Sequence, residues 1–148
     1  MALSGTYEAS PSDWVREQVE AYERSGGTEG NTLLDTGLPV VIVTHRGVNS
    51  GNLRKTPLMR VEHEGHYALV ASKGGAPDHP AWYANLVADP MVMIQDGPLP
   101  LEYCVRELEG KERSDWWERA VAAYPPYAEY QEKTTRVIPV LLASRFGV

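Results

Sequence analysis

Apolar residues recur along this chain at two different spacings, and the switches between them divide it into elements. Trp14, Val15, Val19 and Tyr22 return at helical spacing, giving a thin apolar stripe. Ser10-Pro11-Ser12-Asp13 supplies a helix start, with Ser10 as N-cap, Pro11 at the first helical position and Asp13 favourable to the dipole; Gly26-Gly27 supplies the end. Residues 28–37 are polar and glycine-rich and predict a loop. Residues 38–44 are rich in β-branched side chains and predict a short buried strand. A turn at 49–52 leads to a second strand over 55–62, and Glu64-Gly65 marks a hairpin into a third over 66–72.

Gly74-Gly75-Ala76-Pro77 breaks that strand, and residues 80–87 carry Trp82, Tyr83 and Leu86 at helical spacing. Asp89-Pro90 ends this helix. Residues 91–95 and 99–108 predict two strands joined at Asp96-Gly97-Pro98. Ser114-Asp115 reads as the cap of a helix bearing Trp116, Trp117, Ala120, Val121 and Tyr124, interrupted by Pro125-Pro126 and followed by a short helix through Tyr127 and Tyr130. Residues 137–142 predict a sixth strand, whose Pro139 implies an edge or a bulge.

Strands joined by hairpin-length turns, with helices unevenly placed between them, do not make the regular alternation of a doubly wound sheet. The prediction is a mainly β fold: a mostly antiparallel sheet or small barrel with peripheral helices. At 148 residues the chain fits one domain, with an N-terminal helix and loop over 1–37 and a barrel core over 38–148. A hydrophobic share of 43% and a charged share of 23% exclude disordered, collagen-like and coiled-coil classes. There is no signal-peptide pattern and no apolar run near the roughly 20 residues of a spanning helix. The expected address is therefore the cytoplasm, including the inner face of the membrane. The single cysteine, Cys104, excludes an internal disulfide framework and fits a reducing compartment; placed in a strand, it reads as a small buried hydrophobe.

A net charge of -6 argues against a general nucleic-acid binder. Charge is uneven, however. Residues 37–77 carry Arg46, Arg54, Lys55, Arg60 and Lys73 against Glu62 and Glu64. An anionic small ligand would be drawn to such a patch; the alternative is ordinary solvated charge on strand faces. No Gly-x-Gly-x-x-Gly follows a strand and no Walker-type loop is present, so the usual nucleotide phosphate cradles are missing. His63-Glu64-Gly65-His66 is too short for helical zinc-protease spacing and lies on a predicted hairpin, so no metal is expected.

What remains suits a flat, anionic ligand. Arg54-Lys55-Thr56-Pro57 offers a guanidinium, an ammonium and a hydroxyl near a strand start. Ser72-Lys73-Gly74-Gly75 adds a cation where glycine permits close backbone approach. His79 to Leu86 supplies aromatic area and the Asn85 amide. Core packing is the competing explanation for Trp82 and Tyr83.

The series Arg54-Lys55-Thr56-Pro57-Leu58, Val70-Ala71-Ser72-Lys73-Gly74-Gly75-Ala76, His79-Pro80-x-Trp82-Tyr83-x-Asn85-Leu86-x-Ala88-Asp89-Pro90 and Tyr124-Pro125-Pro126-Tyr127-x-x-Tyr130-Gln131 resembles the deazaflavin-dependent nitroreductase family of actinobacteria, which includes F420H2-dependent quinone reductases. The resemblance implies a split β-barrel like that of FMN-binding proteins. It also implies coenzyme F420, an 8-hydroxy-5-deazaflavin with a phosphodiester and an oligoglutamate tail, and hydride transfer to a quinone or nitroaromatic acceptor. By the same resemblance Arg54, Lys55, Thr56, Pro57, Leu58 and Met59 line the cofactor, and Val70, Ala71, Ser72 and Lys73 line its other side, with Lys73 meeting the phosphate. Ala81, Trp82 and Asn85 sit near the phosphate-bearing side chain, and Tyr124, Tyr127 and Tyr130 wall the substrate pocket. The family commonly has Gly-Arg-Lys-Ser/Thr-Gly before the basic strand, where it meets the acidic tail; this chain has Gly47-Val48-Asn49-Ser50-Gly51. Val48, Asn49 and Ser50 therefore occupy a tail-binding loop lacking two cations. The competing readings are an FMN-binding split-barrel oxidoreductase and a non-catalytic F420-binding protein.

Overall fold

The computed structural model describes residues 3–33 and 36–145. Seven strands run in chain order as β1 (Val40–Arg46), β2 (Leu53–Met59), β3 (Glu62–His63), β4 (His66–Val70), β5 (Met91–Gln95), β6 (Pro100–Glu107) and β7 (Val140–Arg145). Four helices accompany them: α1 (Asp13–Ser25), α2 (Ala81–Ala88), α3 (Gly110–Ala123) and α4 (Pro126–Lys133). The strands form one antiparallel sheet in the order β2-β1-β5-β6-β7-β4-β3, curled into the expected split-barrel class.

The predicted strand over 55–62 is in fact two strands on opposite edges of the sheet. Seven residues of β2 pair with β1, from Leu53 opposite Arg46 to Met59 opposite Val40; the chain then bends at Arg60-Val61, and Glu62 and His63 pair with β4. Both halves are apolar-rich and close together in sequence, so a local pattern cannot reveal the change of partner. The bend is clamped from outside the strand. Asp96 Oδ2 accepts from Arg60 Nε at 2.8 Å and from the Tyr67 hydroxyl at 2.6 Å.

Alternation then sorts the core. Val40 and Ile42 join Ala68, Val70, Val140 and Leu142 under α1, α3 and α4. Val41 and Val43 join Leu69, Val92, Ile94 and Leu141 on the other face, into which α2 inserts Trp82 and Leu86. Covering on both faces is why β1 reads as an unbroken β-branched run.

Three boundaries differ from expectation. α1 starts at Asp13 with Ser12 extended before it, while the Ser10 hydroxyl accepts from the Ser12 N–H. α3 starts at Gly110, four residues before the apparent cap; Glu112 in its first turn makes a two-pronged bond to Arg106 of β6, and Ser114 bonds back to the Gly110 carbonyl from within the helix. Pro139 marks no edge: it precedes β7, which lies inside the sheet, and its carbonyl accepts from the Ala71 N–H. Cys104 is exposed on β6, not buried.

Pro57 stands mid-strand without penalty because β2 is an edge. The Leu53 N–H and C=O bond outward to Thr6 and Glu8, so the period of two turns Pro57 outward as well, where no neighbouring strand needs its missing donor. The α4 helix packs on a tight turn, Lys73–Gly75. Gly75 has φ +83°, and a β carbon there would lie 2.7 Å from the Tyr130 carbonyl oxygen and 3.0 Å from its α carbon. Gly75→Ala is therefore expected to lower stability by about 2 kcal/mol or more through left-handed strain and overpacking, measured as a urea midpoint shift against wild type.

Candidate active site

The site is built on both faces of β2. The register sets Arg54 opposite His45, Thr56 opposite Val43 and Leu58 opposite Val41, so these three face α2. Lys55, Pro57 and Met59 face α1. Around this edge strand lie two cavities of about 640 and 520 Å³. They share Val15, Thr56 and Trp82, and so form one trough with a junction at Thr56.

The larger cavity takes in the loop 47–50, Arg54, Lys55, Ala81 and Asn85. The smaller takes in Pro57, Leu58, Met59, Val70, Ser72, Lys73 and the tyrosines Tyr124, Tyr127 and Tyr130. Apart from Ala71, which is fully buried, every residue that the family resemblance assigns to the cofactor or substrate borders one or the other; of the other candidates, Arg46, Arg60, Gly75, His79 and Tyr83 border neither. The grouping differs in one respect: Lys73 lies with the tyrosines, apart from Arg54 and Lys55. Sequence reasoning missed Glu8, Ser10, Trp14 and Val15, which the α1 segment brings over the trough, and His45.

The cationic patch is largely paired. Arg54 meets Glu8 at 3.2 Å, Lys55 is bonded to Glu23, Arg60 to Asp96, and Arg46 lies 3.4 Å from Asp89 while donating to the Gly51 and Ser4 carbonyls. Of the five cations, Lys73 has no carboxylate partner among the described residues. Pairs this exposed contribute about 0–1 kcal/mol each, so a ligand anion exchanges with Glu8 or Glu23 at little cost.

Behind the larger cavity, His45 is 2% exposed. Its Nε2 lies 3.0 Å from Thr56 Oγ1, its Nδ1 lies 3.1 Å from Asn85 Nδ2, and Asn85 Oδ1 accepts from the Val48 N–H at 2.9 Å. Burial, and secondarily the Arg54 charge, push the imidazole pKa down to about 4.

The wall of the smaller cavity is an aromatic cluster. Tyr124 and Tyr130 share a hydroxyl–hydroxyl bond of 2.9 Å, and the Tyr127 ring meets Tyr124 edge-on at 4.9 Å. Burial, then the bond from Tyr130, raise the Tyr124 pKa to about 12, and burial raises that of Tyr127. All three are tied to the Lys73 turn through α4. Lys73 itself has φ +47°, a strained conformation of the kind that collects at functional positions. Arg136 holds this turn, donating to the carbonyls of Ser72 at 2.7 Å, Ala76 at 2.9 Å and Ala71 at 3.2 Å. These carbonyls lie 60 or more residues away, so no local signal marks it.

Comparison with known proteins identifies relatives. The F420H(2)-dependent quinone reductase family matches residues 14–144. A putative F420H(2)-dependent quinone reductase of Mycobacterium tuberculosis is 33% identical over 107 residues, covering 71% of this chain and 88% of its own. An F420-H2 dependent reductase structure (FDR-A) superposes with TM-score 0.69 and 57% identity, over 72% of this chain and 94% of its own. A pyridoxinephosphate oxidase family protein from Clostridium acetobutylicum shares the fold alone, with TM-score 0.50 and 16% identity over 87% of this chain and 81% of its own.

The buried imidazole makes folding pH-dependent with a definite sign. Its folded pKa, about 4, lies below the ordinary 6.5, so between those values the unfolded chain binds more protons. Its contribution is complete above pH 6.5 and is lost as pH falls towards 4, by about 3 kcal/mol in all. Urea unfolding of wild type and His45→Gln across pH 4–7 should show that slope in wild type and its loss in the variant.

Proposed function

The chain belongs to the F420H(2)-dependent quinone reductase family, and on that premise we propose how its residues divide the work. It is an oxidoreductase whose cofactor is coenzyme F420 and whose acceptors are quinones. When bound, the reduced deazaflavin supplies a hydride for two-electron reduction. The observation that carries the site reading is the junction at Thr56: a cation-bearing cavity adjoins an aromatic one, the two sharing Thr56, Val15 and Trp82, which suits a ligand with a planar ring and an anionic tail.

In this reading Arg54, with Ala81, Trp82 and Asn85 beside it, receives the phosphate-bearing chain. Release of Glu8 costs at most about 1 kcal/mol, whereas a charge-assisted bond to phosphate contributes about 1.5–3 kcal/mol. The exchange therefore favours the ligand. Lys73 borders the aromatic cavity instead, beside the tyrosines. The loop 48–50 meets the tail with neutral side chains, and Arg46 does not border the larger cavity, so it does not replace the missing cations.

The tyrosines wall the acceptor. With its pKa near 12, Tyr124 is a poor proton source at neutral pH. The Tyr124–Tyr130 pair uses one hydroxyl proton in its mutual bond and keeps the other to donate to the acceptor oxygen, while water supplies the proton. Aromatic walls stack on any flat, electron-poor acceptor, and we extend the acceptor class to nitroaromatics on that ground. A single cysteine, which forms no internal disulfide, is in keeping with a cytoplasmic location; separately, no helix of the described residues is long and apolar enough to cross a membrane.

Titration with oxidised F420 and FMN side by side should give F420 the tighter constant, and equal or tighter FMN binding would overturn the reading. Arg54→Ala should weaken F420 binding by about 1.5–3 kcal/mol, less at high salt, with little gain in affinity per added tail glutamate in wild type. An unchanged Kd would remove Arg54 from the phosphate site.

Tyr130→Phe should lower kcat/KM for menadione by about tenfold or less, the scale of one hydrogen bond, with F420 affinity and pH profile unchanged. A loss of about a hundredfold or more with a shifted profile would instead make the hydroxyl a general acid.

A further inference from the structure

The His45–Asn85–Thr56 chain has a direction that the backbone fixes. The Val48 N–H can only donate, so the Asn85 atom 2.9 Å from it is the amide oxygen. The amide nitrogen then faces His45 Nδ1 at 3.1 Å and can only donate. His45 Nδ1 is thereby the lone-pair nitrogen, and a neutral imidazole carries its proton on Nε2, 3.0 Å from Thr56 Oγ1. Thr56 accepts that proton's bond, which leaves its own O–H to point elsewhere. The residue is half-buried and borders both cavities, and its hydroxyl has no second hydrogen-bond partner among the described residues.

We propose that His45 is a positioning residue that locks the Thr56 hydroxyl as a hydrogen-bond donor into the junction of the two cavities, where it meets an acceptor oxygen or nitrogen of the bound deazaflavin. The proposal rests on the placement of the cofactor in this trough. A serine or threonine hydroxyl normally rotates between donating and accepting; here one lone pair is taken and the proton is directed into the cavity. The same chain ties the loop at Val48 to α2, so three elements that border the larger cavity share one hydrogen-bond polarity. Because every member is neutral, the contribution does not depend on salt. That distinguishes it from Arg54.

Two amide variants separate orientation of Thr56 from simple support of the fold. His45→Asn places an amide near the Nδ1 position and keeps the partner for Asn85, but cannot reach Thr56. His45→Gln reaches Thr56 at the Nε2 position. F420 affinity, read by fluorescence with melting temperature on the same samples, should fall about three- to tenfold in His45→Asn and stay within about twofold of wild type in His45→Gln. The loss should be the same at low and high ionic strength. In a Thr56→Val background, itself weakened by a similar factor, His45→Asn should cost nothing further. Nitrogen-15 spectra of the ligand-free protein at pH 7 should show a protonated Nε2 and an unprotonated Nδ1, a readout independent of turnover.

A protonated Nδ1, an unchanged affinity in Thr56→Val or His45→Asn, or an equal loss from His45→Asn with and without the Thr56 hydroxyl overturns the proposal. If Arg54→Ala leaves F420 binding untouched while His45→Asn weakens it as described, the phosphate placement fails and the donor assignment stands.

Discussion

One stretch of chain, residues 53–63, belongs to both edges of the sheet, and the rest of the structure depends on that constraint. Its first seven residues pair with β1 and its last two with β4. The strand order β2-β1-β5-β6-β7-β4-β3 can curl on itself only if the Arg60-Val61 bend holds. The bend is held by Asp96, which receives Arg60 and Tyr67 on one carboxylate oxygen, while the neighbouring Gly97 N–H donates to the Tyr22 hydroxyl of α1. The closure of the sheet and the seating of α1 therefore meet at one turn. Because β2 must remain an edge for this topology to exist, its outward side beyond Leu53 is left without a strand neighbour, and the trough forms there.

An edge strand with cavities around it would ordinarily invite another strand. Here the backbone of the N-terminal segment bonds to that of β2 at Leu53 alone, a proline interrupts the donors, and Lys55 and Arg54 stand on alternate faces. The same features that discourage pairing with another chain leave room for a ligand. The acidic residues of the α1 segment cover the cations with exposed ion pairs worth little individually. Charge in this trough is thus held in reserve by weak pairs, while its shape is held by apolar packing and by Arg136.

The elements were mostly legible in the sequence because they are local: the hairpin at Glu64-Gly65, with φ of +53° and +83°, the α2 helix and the β5–β6 pair all fell near their expected places. What was not legible depended on partners far along the chain. The break after Met59 and the interior position of β7 are set by pairing with residues that no short window of the sequence contains. The trough shows the same division. The residues that the family resemblance assigns to the site border it, with Ala71 buried behind, but His45 takes its meaning from Asn85, 40 residues away, and Arg136 from carbonyls 60 or more residues away. Read alone, His45 was one more residue at the end of a β-branched run.

The two kinds of interaction in the trough do different work for a hydride transfer. Cations attract an anionic cofactor from a distance and tolerate several geometries, since a guanidinium or ammonium binds phosphate oxygens in many poses. They set affinity but fix the ring poorly. Transfer needs the donor carbon and the acceptor within a few tenths of an ångström of a near-attack distance, and that demands groups whose own positions are already determined. Thr56 has such a position: its backbone lies in the β2 register, its hydroxyl is held by His45, His45 by Asn85, and Asn85 by the Val48 N–H. A neutral network of this kind loses nothing to ion screening and needs no rearrangement when the ligand arrives. The placement of Thr56 where the cationic cavity meets the aromatic one puts a donor whose position is already fixed at the point where affinity must be converted into alignment.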